Sequence, residues 1–195
     1  MKYGAVILYG GKSRRMGRDK AELKIDGKTF FEHIAGELKS FEELILSLDS
    51  LEKYPEMKYT AVTDVYPDCG PMGGIHAALT KCDSDALLVV SCDLPLFRSE
   101  LGDYLVKQLT GETDAVVPVT SDGRIHPLCA VYRKQTVSVF EKHLKIGSYK
   151  ILDAYKDMRV KYIPMDRTPC SEKWLRNINT PQEYDALCGQ KERHV

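Results

Sequence analysis

Hydrophobic positions fall along this chain in short runs separated by stretches of helical periodicity. Tyr3–Leu8 is apolar at nearly every position, which is how a strand buried on both faces of a parallel sheet reads, and it predicts a central strand. Over residues 29–38 the apolar positions are Phe30, Phe31, Ile34, Ala35 and Leu38, a helical spacing that packs one stripe on a sheet. Further apolar runs at Leu44–Leu48, at 59–62 and at 86–90 predict strands, each set off by helical or turn-rich sequence. The alternation reads as an α/β fold around a mostly parallel sheet.

The turn cluster Asp68-Cys69-Gly70-Pro71-Met72-Gly73-Gly74 releases into a helix predicted over 75–81. Helices are predicted at 99–109 and 135–144, and strands at Ala115–Val119 and 128–132; the stretch up to Asn177 is less regular. Thr180, Pro181 and Glu183 then form a sharp start signal, with an N-cap hydroxyl, a proline at the first helical position and the glutamate of a capping box. That helix is expected to run to Leu187, with a polar, frayed tail after Gly189. No repeat, linker or low-complexity tract interrupts the chain, so a single domain over 1–195 is expected.

Composition narrows the partners. The 28 basic and 28 acidic residues cancel, which argues against a general nucleic-acid or membrane surface. No stretch approaches the eighteen apolar residues of a membrane span, and no long apolar leader opens the chain. The six cysteines are scattered, without a CxxC pair or zinc spacing, and read as reduced thiols of a cytoplasmic protein.

Charge is neutral overall but local at one place. Directly after the first strand come Gly10 and Gly11, and five of the nine residues from Lys12 to Lys20 are basic. A strand ending in a glycine turn beside fixed cations is a receptacle for polyphosphate, because backbone N–H groups and cations converge where no Cβ intrudes. Gly11-Lys12-Ser13 mimics the end of a Walker A motif, but its first glycine would fall at Val6, inside the strand; Gly10, Gly11 and Gly17 do not meet the dinucleotide spacing either.

Two carboxylates follow predicted strands. Asp93, in Ser91-Cys92-Asp93-Leu94-Pro95, stands where ligands bind at the carboxyl edge of an α/β sheet, and could hold Mg²⁺ against phosphate or cap a turn. Asp64 ends the third strand and reads equally as a turn cap or as a contact to base or ribose. His126 is as readily a surface residue as an acid and receives no catalytic role. No nucleophile–base constellation is visible.

These residues carry a resemblance. Leu8-Tyr9-Gly10-Gly11-Lys12-Ser13-Arg14-Arg15-Met16-Gly17-Arg18-Asp19-Lys20 resembles the L-A-G-G-x-S-x-R-M-G-x-D-K signature of the molybdenum cofactor guanylyltransferases, the MobA family. Gly70-Pro71-Met72-Gly73-Gly74-Ile75 resembles that family's G-P-L-x-G-[IM], Cys92-Asp93-Leu94-Pro95 its C-D-x-P, the segment from His126 to Val131 its H-P-x-x-A, and Asn177-Ile178-Asn179-Thr180-Pro181 its N-x-N-T-P. All five occur in the family's order. The resemblance implies a three-layer α/β/α, Rossmann-like nucleotidyltransferase fold and transfer of GMP from GTP to molybdopterin-type molybdenum cofactor with Mg²⁺, with molybdoenzymes or their chaperones as downstream partners.

By position, it implies nucleotide contacts from Leu8, Gly10, Gly11, Lys20, Asp64 and Asp93, metal binding by Asp93, leaving-group stabilisation by Lys20 and Arg15, and a pterin side at Asn177 and Asn179. Ser47 stands where a polar residue, more usually Asn, ends the family's second strand. Tyr9 replaces the usual Ala, and its ring either presses on the bound base or points away. Two rivals are a relative using CTP on the same cofactor or on a sugar phosphate, whose loop more often reads A-A-G, and a nucleotide-binding regulator without turnover.

Overall fold

A computed structural model describes residues 1–9, 23–52 and 59–191. Its strands are β1 (Tyr3–Leu8), β2 (Lys24–Ile25), β3 (Lys28–Thr29), β4 (Leu44–Leu48), β5 (Thr60–Thr63), β6 (Ala86–Ser91), β7 (Ala115–Val119), β8 (Cys129–Arg133) and β9 (Val160–Pro164). The helices are α1 (Phe30–Glu37), α2 (Pro71–Lys81), α3 (Ser99–Gln108), α4 (Val137–Lys145), α5 (Ile151–Ala154) and α6 (Pro181–Lys191). Seven strands form one sheet in the order β5-β4-β1-β6-β8-β7-β9. β8 pairs antiparallel with both neighbours and the other pairings are parallel, so β8 alone runs against the rest.

Three layers result from the two-residue period of the strands. Ala5, Ile7 and Tyr9 of the β1 segment pack with Ile34, Ala35 and Leu38 of the α1 segment and with Leu101 and Leu105 of α3. Val6 and Leu8 face the other way, with Met72, Ile75 and Ala78 of α2 and with α4 and α5. Burying a Leu or Ile side chain on either face contributes about 1.5–3 kcal/mol, so a register slip of one residue, which would exchange the faces, is strongly disfavoured.

The sheet holds more than the periodicity predicts. β9 lies at an edge, mostly half-exposed, and so lacks the apolar run of an inner strand. β2 and β3 are two residues each, joined by Asp26-Gly27 with φ of 52° and 77°, a hairpin turn that needs positive φ at both central residues. α1 is capped by Thr29 and Glu32 in a full capping box. α2 starts at Pro71 rather than at 75: Gly70 precedes it with φ 62° and ψ −155°, a conformation open essentially to glycine, and Pro71 takes the first helical position. α6 begins at the expected place and continues to Lys191.

Candidate active site

Strand order reverses at β1. The chain steps from β1 to β4 and β5 on one side, then returns through α2 to β6 on the other, and the crevice outside the carboxyl ends at such a switch point is where α/β sheets bind ligands. Here the register aligns the strand ends: Leu8 pairs with Ser47 of β4 and with Ser91 of β6. Backbone bonds extend the alignment past the strands, from Tyr9 N to Ser47 O at 2.9 Å and from Cys92 N to Leu8 O at 3.1 Å.

Above these ends lies a cavity of about 1230 Å³, lined by Leu8, Ser47, Asp64, Gly74, Asp93 and Leu128 among others. Five carboxylates, Asp49, Glu52, Asp64, Asp68 and Asp93, line it, and among the described residues no lysine or arginine does. Carboxylates at such a cleft disfavour a polyphosphate unless cations stand with them. The first turn of α2 partly offsets the charge, since the helix dipole presents positive potential beside Gly70 and Pro71.

Two glycines set how closely α2 approaches. A Cβ on Gly73 would lie 2.6 Å from Asp64 Oδ2, and one on Gly74 would lie 2.4 Å from Ser47 Oγ and 3.3 Å from Leu8 Cδ2. Asp64 and Ser47 are therefore packed against the bare backbone of the first turn of α2. In the sequence Gly73 and Gly74 read only as turn residues; that they are contact surfaces depends on which strand ends α2 crosses. Half-burial pushes the Asp64 carboxyl up to about 6, because desolvation disfavours its charged form.

Asp93 sits in the turn after β6, and its Oδ1 is buried without a hydrogen-bond partner among the described residues. A buried acceptor left unmatched is costly. Mg²⁺, which takes one or two carboxylates together with phosphate oxygens, suits that atom. The main chain of the same turn is held firmly: Leu94 N donates to Ser91 O at 3.1 Å, and Ile178 N donates to Asp93 O at 2.9 Å. The second of these bonds brings Asn177 and Asn179 beside the Asp93 turn. Thr180 and Glu183 form the expected reciprocal cap immediately after, with Asn179 N also bonded to Glu183 at 2.6 Å.

The His126-Pro127-Leu128 turn joins the floor of the cleft. Leu128 O accepts from Ser91 N at 2.9 Å, Pro127 O accepts from Tyr132 Oη at 2.8 Å, and Tyr132 and Tyr155 share a hydroxyl bond of 2.6 Å. His126 is buried, with Nε2 3.2 Å from Thr120 Oγ1, and burial followed by the charge of Arg124 holds its pKa down. The turn's place in the floor is what the sequence did not reveal.

Tyr9 lines the cleft and also reaches into the α1 layer. It is buried, in edge-to-face contact with Phe31 at 5.3 Å between centroids, and Phe31 meets Tyr59 in the same manner at 5.8 Å. The pleat explains this, since Leu8 turns toward α2 and Tyr9 toward α1. Gly10, Gly11, Arg15 and Lys20 lie outside the described residues.

Comparison with known proteins gives a consistent set. The family described as MobA-like NTP transferase domain matches residues 5–158. The "Probable molybdenum cofactor guanylyltransferase" of Clostridium perfringens (strain 13 / Type A) is 36% identical, over 98% of this chain and 99% of its own. The protein of the same name from Carboxydothermus hydrogenoformans is 34% identical, over 93% of this chain and 92% of its own. Among solved structures, molybdopterin-guanine dinucleotide biosynthesis protein A from Archaeoglobus fulgidus superposes with a TM-score of 0.85 at 23% identity, covering 99% of this chain and 100% of that one.

Proposed function

The chain belongs to the family of MobA-like NTP transferases, and on that premise we propose that it transfers GMP from GTP to the molybdopterin form of the molybdenum cofactor, as a single domain over 1–195. The observation that carries this reading is the aligned set of strand ends around one cleft, with Asp64 against the first turn of α2 and the buried, unpartnered Oδ1 of Asp93. The names of the similar relatives support the substrate pair.

In the reaction an oxygen of the cofactor's terminal phosphate attacks the α-phosphorus of GTP in line. A bond forms between that oxygen and phosphorus, the bond to the bridging oxygen breaks, and pyrophosphate leaves with the electron pair. The attacking phosphate is already anionic, so no strong general base is required. Asp93 is the residue suited to hold the divalent metal the family uses, Mg²⁺ in this proposal, and the ion supplies neutralisation of phosphate charge when bound.

The chain's own residues supply binding and orientation. Leu8 packs against the nucleoside, and Asp64, ionised at neutral pH, accepts hydrogen bonds from base or ribose. Gly10 and Gly11 admit the phosphates close to the backbone, while Lys20 and Arg15 stabilise the leaving pyrophosphate; their cations answer the acidic lining of the cleft. Asn177 and Asn179 serve the pterin side, supported by the bond from Ile178 to the Asp93 turn. Catalysis on this account is positioning and electrostatics. The product passes to molybdoenzymes or their chaperones. Six free cysteines suit a reducing cytoplasm, and no helix among the described residues is long and apolar enough to cross a membrane.

The test is incorporation of labelled GMP into molybdenum cofactor by purified protein with Mg²⁺, with GTP and CTP in competition. Guanine dinucleotide should accumulate with pyrophosphate, and GTP should outcompete CTP. Preference for CTP would reassign the nucleotide, and nucleotide binding without pyrophosphate release would reduce the protein to a binding module. Lys20→Ala should lower turnover on the order of a hundredfold.

A further inference from the structure

A third apolar cluster stands apart from the two faces of the sheet. Leu23, Ile25, Phe30, Ile178 and Leu187 form it, all buried, with Leu96 and Tyr184 packed against them. Its members come from four places: Leu23 and Ile25 from the start of the β2–β3 hairpin, Phe30 from the start of α1, Ile178 from the middle of Asn177-Ile178-Asn179, and Leu187 from α6. Leu96 follows Asp93 by three residues. Hydrogen bonds tie the same pieces together, from Tyr184 Oη to Lys24 O at 2.7 Å and from Phe30 N to Leu23 O at 2.8 Å.

We infer that this cluster is a positioning device for the transfer site, acting through Ile178. The Ile178 side chain is fully buried in the cluster while its N–H donates to the carbonyl oxygen of Asp93 at 2.9 Å. Packing on one side of the residue therefore fixes a backbone bond on the other, and that bond sets the turn carrying the Asp93 carboxylate. Close-packed interiors transmit such displacements instead of absorbing them. Since transfer geometry tolerates little misplacement, the cluster holds three components in one register: the chain at Leu23 to Ile25, the Asp93 turn, and the Asn177 to Thr180 segment. Ile178 and Leu187 are positioning residues and touch no substrate.

Only the turnover arm of the test rests on the guanylyltransferase reading. Leu187→Ala removes packing from the cluster at a residue outside the site, Leu187→Met keeps most of its volume, and Leu105→Ala is a control on α3, buried in a separate core cluster. Two quantities are read in each: exchange of the Ile178 amide by hydrogen–deuterium measurement, and kcat for GMP transfer. Leu187→Ala should speed exchange of the Ile178 amide and lower kcat, each by about tenfold or more, as a 1.4 kcal/mol loss implies. Leu187→Met should restore most of both, and Leu105→Ala, at a similar loss of Tm, should change neither selectively.

Unchanged exchange at Ile178 in Leu187→Ala would overturn the mechanical link. Faster exchange with wild-type kcat would overturn the positioning role. Equal loss of kcat in Leu105→Ala would reduce the cluster to general stability. Should the wild-type protein transfer no GMP, the proposed function fails while the exchange measurement still decides whether the cluster holds the Asp93 turn.

Discussion

The two faces of the central sheet are made by the same strands one residue out of phase, and they differ only near the carboxyl ends. Toward α1 the apolar layer continues to the last residue, through Ile7, Tyr9, Leu46 and Leu48, and the aromatic contact of Tyr9 with Phe31 closes it. Toward α2 it reaches Leu8 on β1 but ends at Ile45 on β4, and then come Ser47 and Asp64, opposite a helix whose first turn presents Gly73 and Gly74. Polar groups in a core need partners or an opening to solvent. The α2 face provides the opening by leaving out side chains, and the α1 face, which carries none of this chemistry, is filled.

This contrast can be broken in several places, and the largest effect is expected where the strand ends meet the turn after β6. Asp93→Asn keeps the shape of the side chain and removes its charge. Turnover should fall on the order of a hundredfold or more, with an unchanged circular dichroism spectrum, and wild-type-like steady-state rates would remove Asp93 from the mechanism. Next in size is Gly74→Ala, whose methyl would come within 2.4 Å of Ser47 Oγ. Overpacking of that kind costs about 1–3 kcal/mol, read as a lower midpoint in urea unfolding, and adding Ser47→Ala should recover part of it. An added methyl tolerated without cost would show that α2 does not set the spacing.

Asp64→Asn tests the half-buried carboxylate by pH. The folded-state pKa of about 6 lies above the ordinary value of 3.8, so the unfolded chain binds fewer protons between those limits and stability falls as pH rises through them. Well below 3.8 both states are protonated and the penalty is absent; well above 6 it is fully present. The variant should therefore gain Tm over the wild type from pH 4 to 6, hold that gain above 6, and lose nucleotide affinity. A gain independent of pH would exclude burial of charge as its cause. The smallest effect belongs to the other face. Tyr9→Phe retains the ring against Phe31 and should leave the choice between GTP and CTP unchanged; an altered preference would show that the Tyr9 hydroxyl reaches the nucleotide.

Much of this was legible in the chain. Tyr3–Leu8 announces an inner strand because burial on both faces requires an unbroken apolar run, and the Thr180–Glu183 cap is local chemistry that needs no other part of the molecule. The motifs naming Asp64, Asp93 and the asparagine pair are likewise residues in order. The short hairpin at Asp26-Gly27, the edge strand Val160–Pro164 and the start of α2 at Pro71 were not legible as elements. Two-residue strands have no period, and an edge strand lacks the apolar run that buried strands show.

What the sequence determined by itself, then, is the succession of elements around the strands, the caps, and which residues carry charge and chemistry, because each of these depends on neighbours within a few positions. Tertiary structure alone decided that Tyr9 packs toward α1 while Leu8 packs toward α2, that Gly73 and Gly74 are contact surfaces for Asp64 and Ser47, and that Ile178 reaches Asp93 across the chain. Those facts depend on the register and layering of distant segments, which the packing of both faces fixes together.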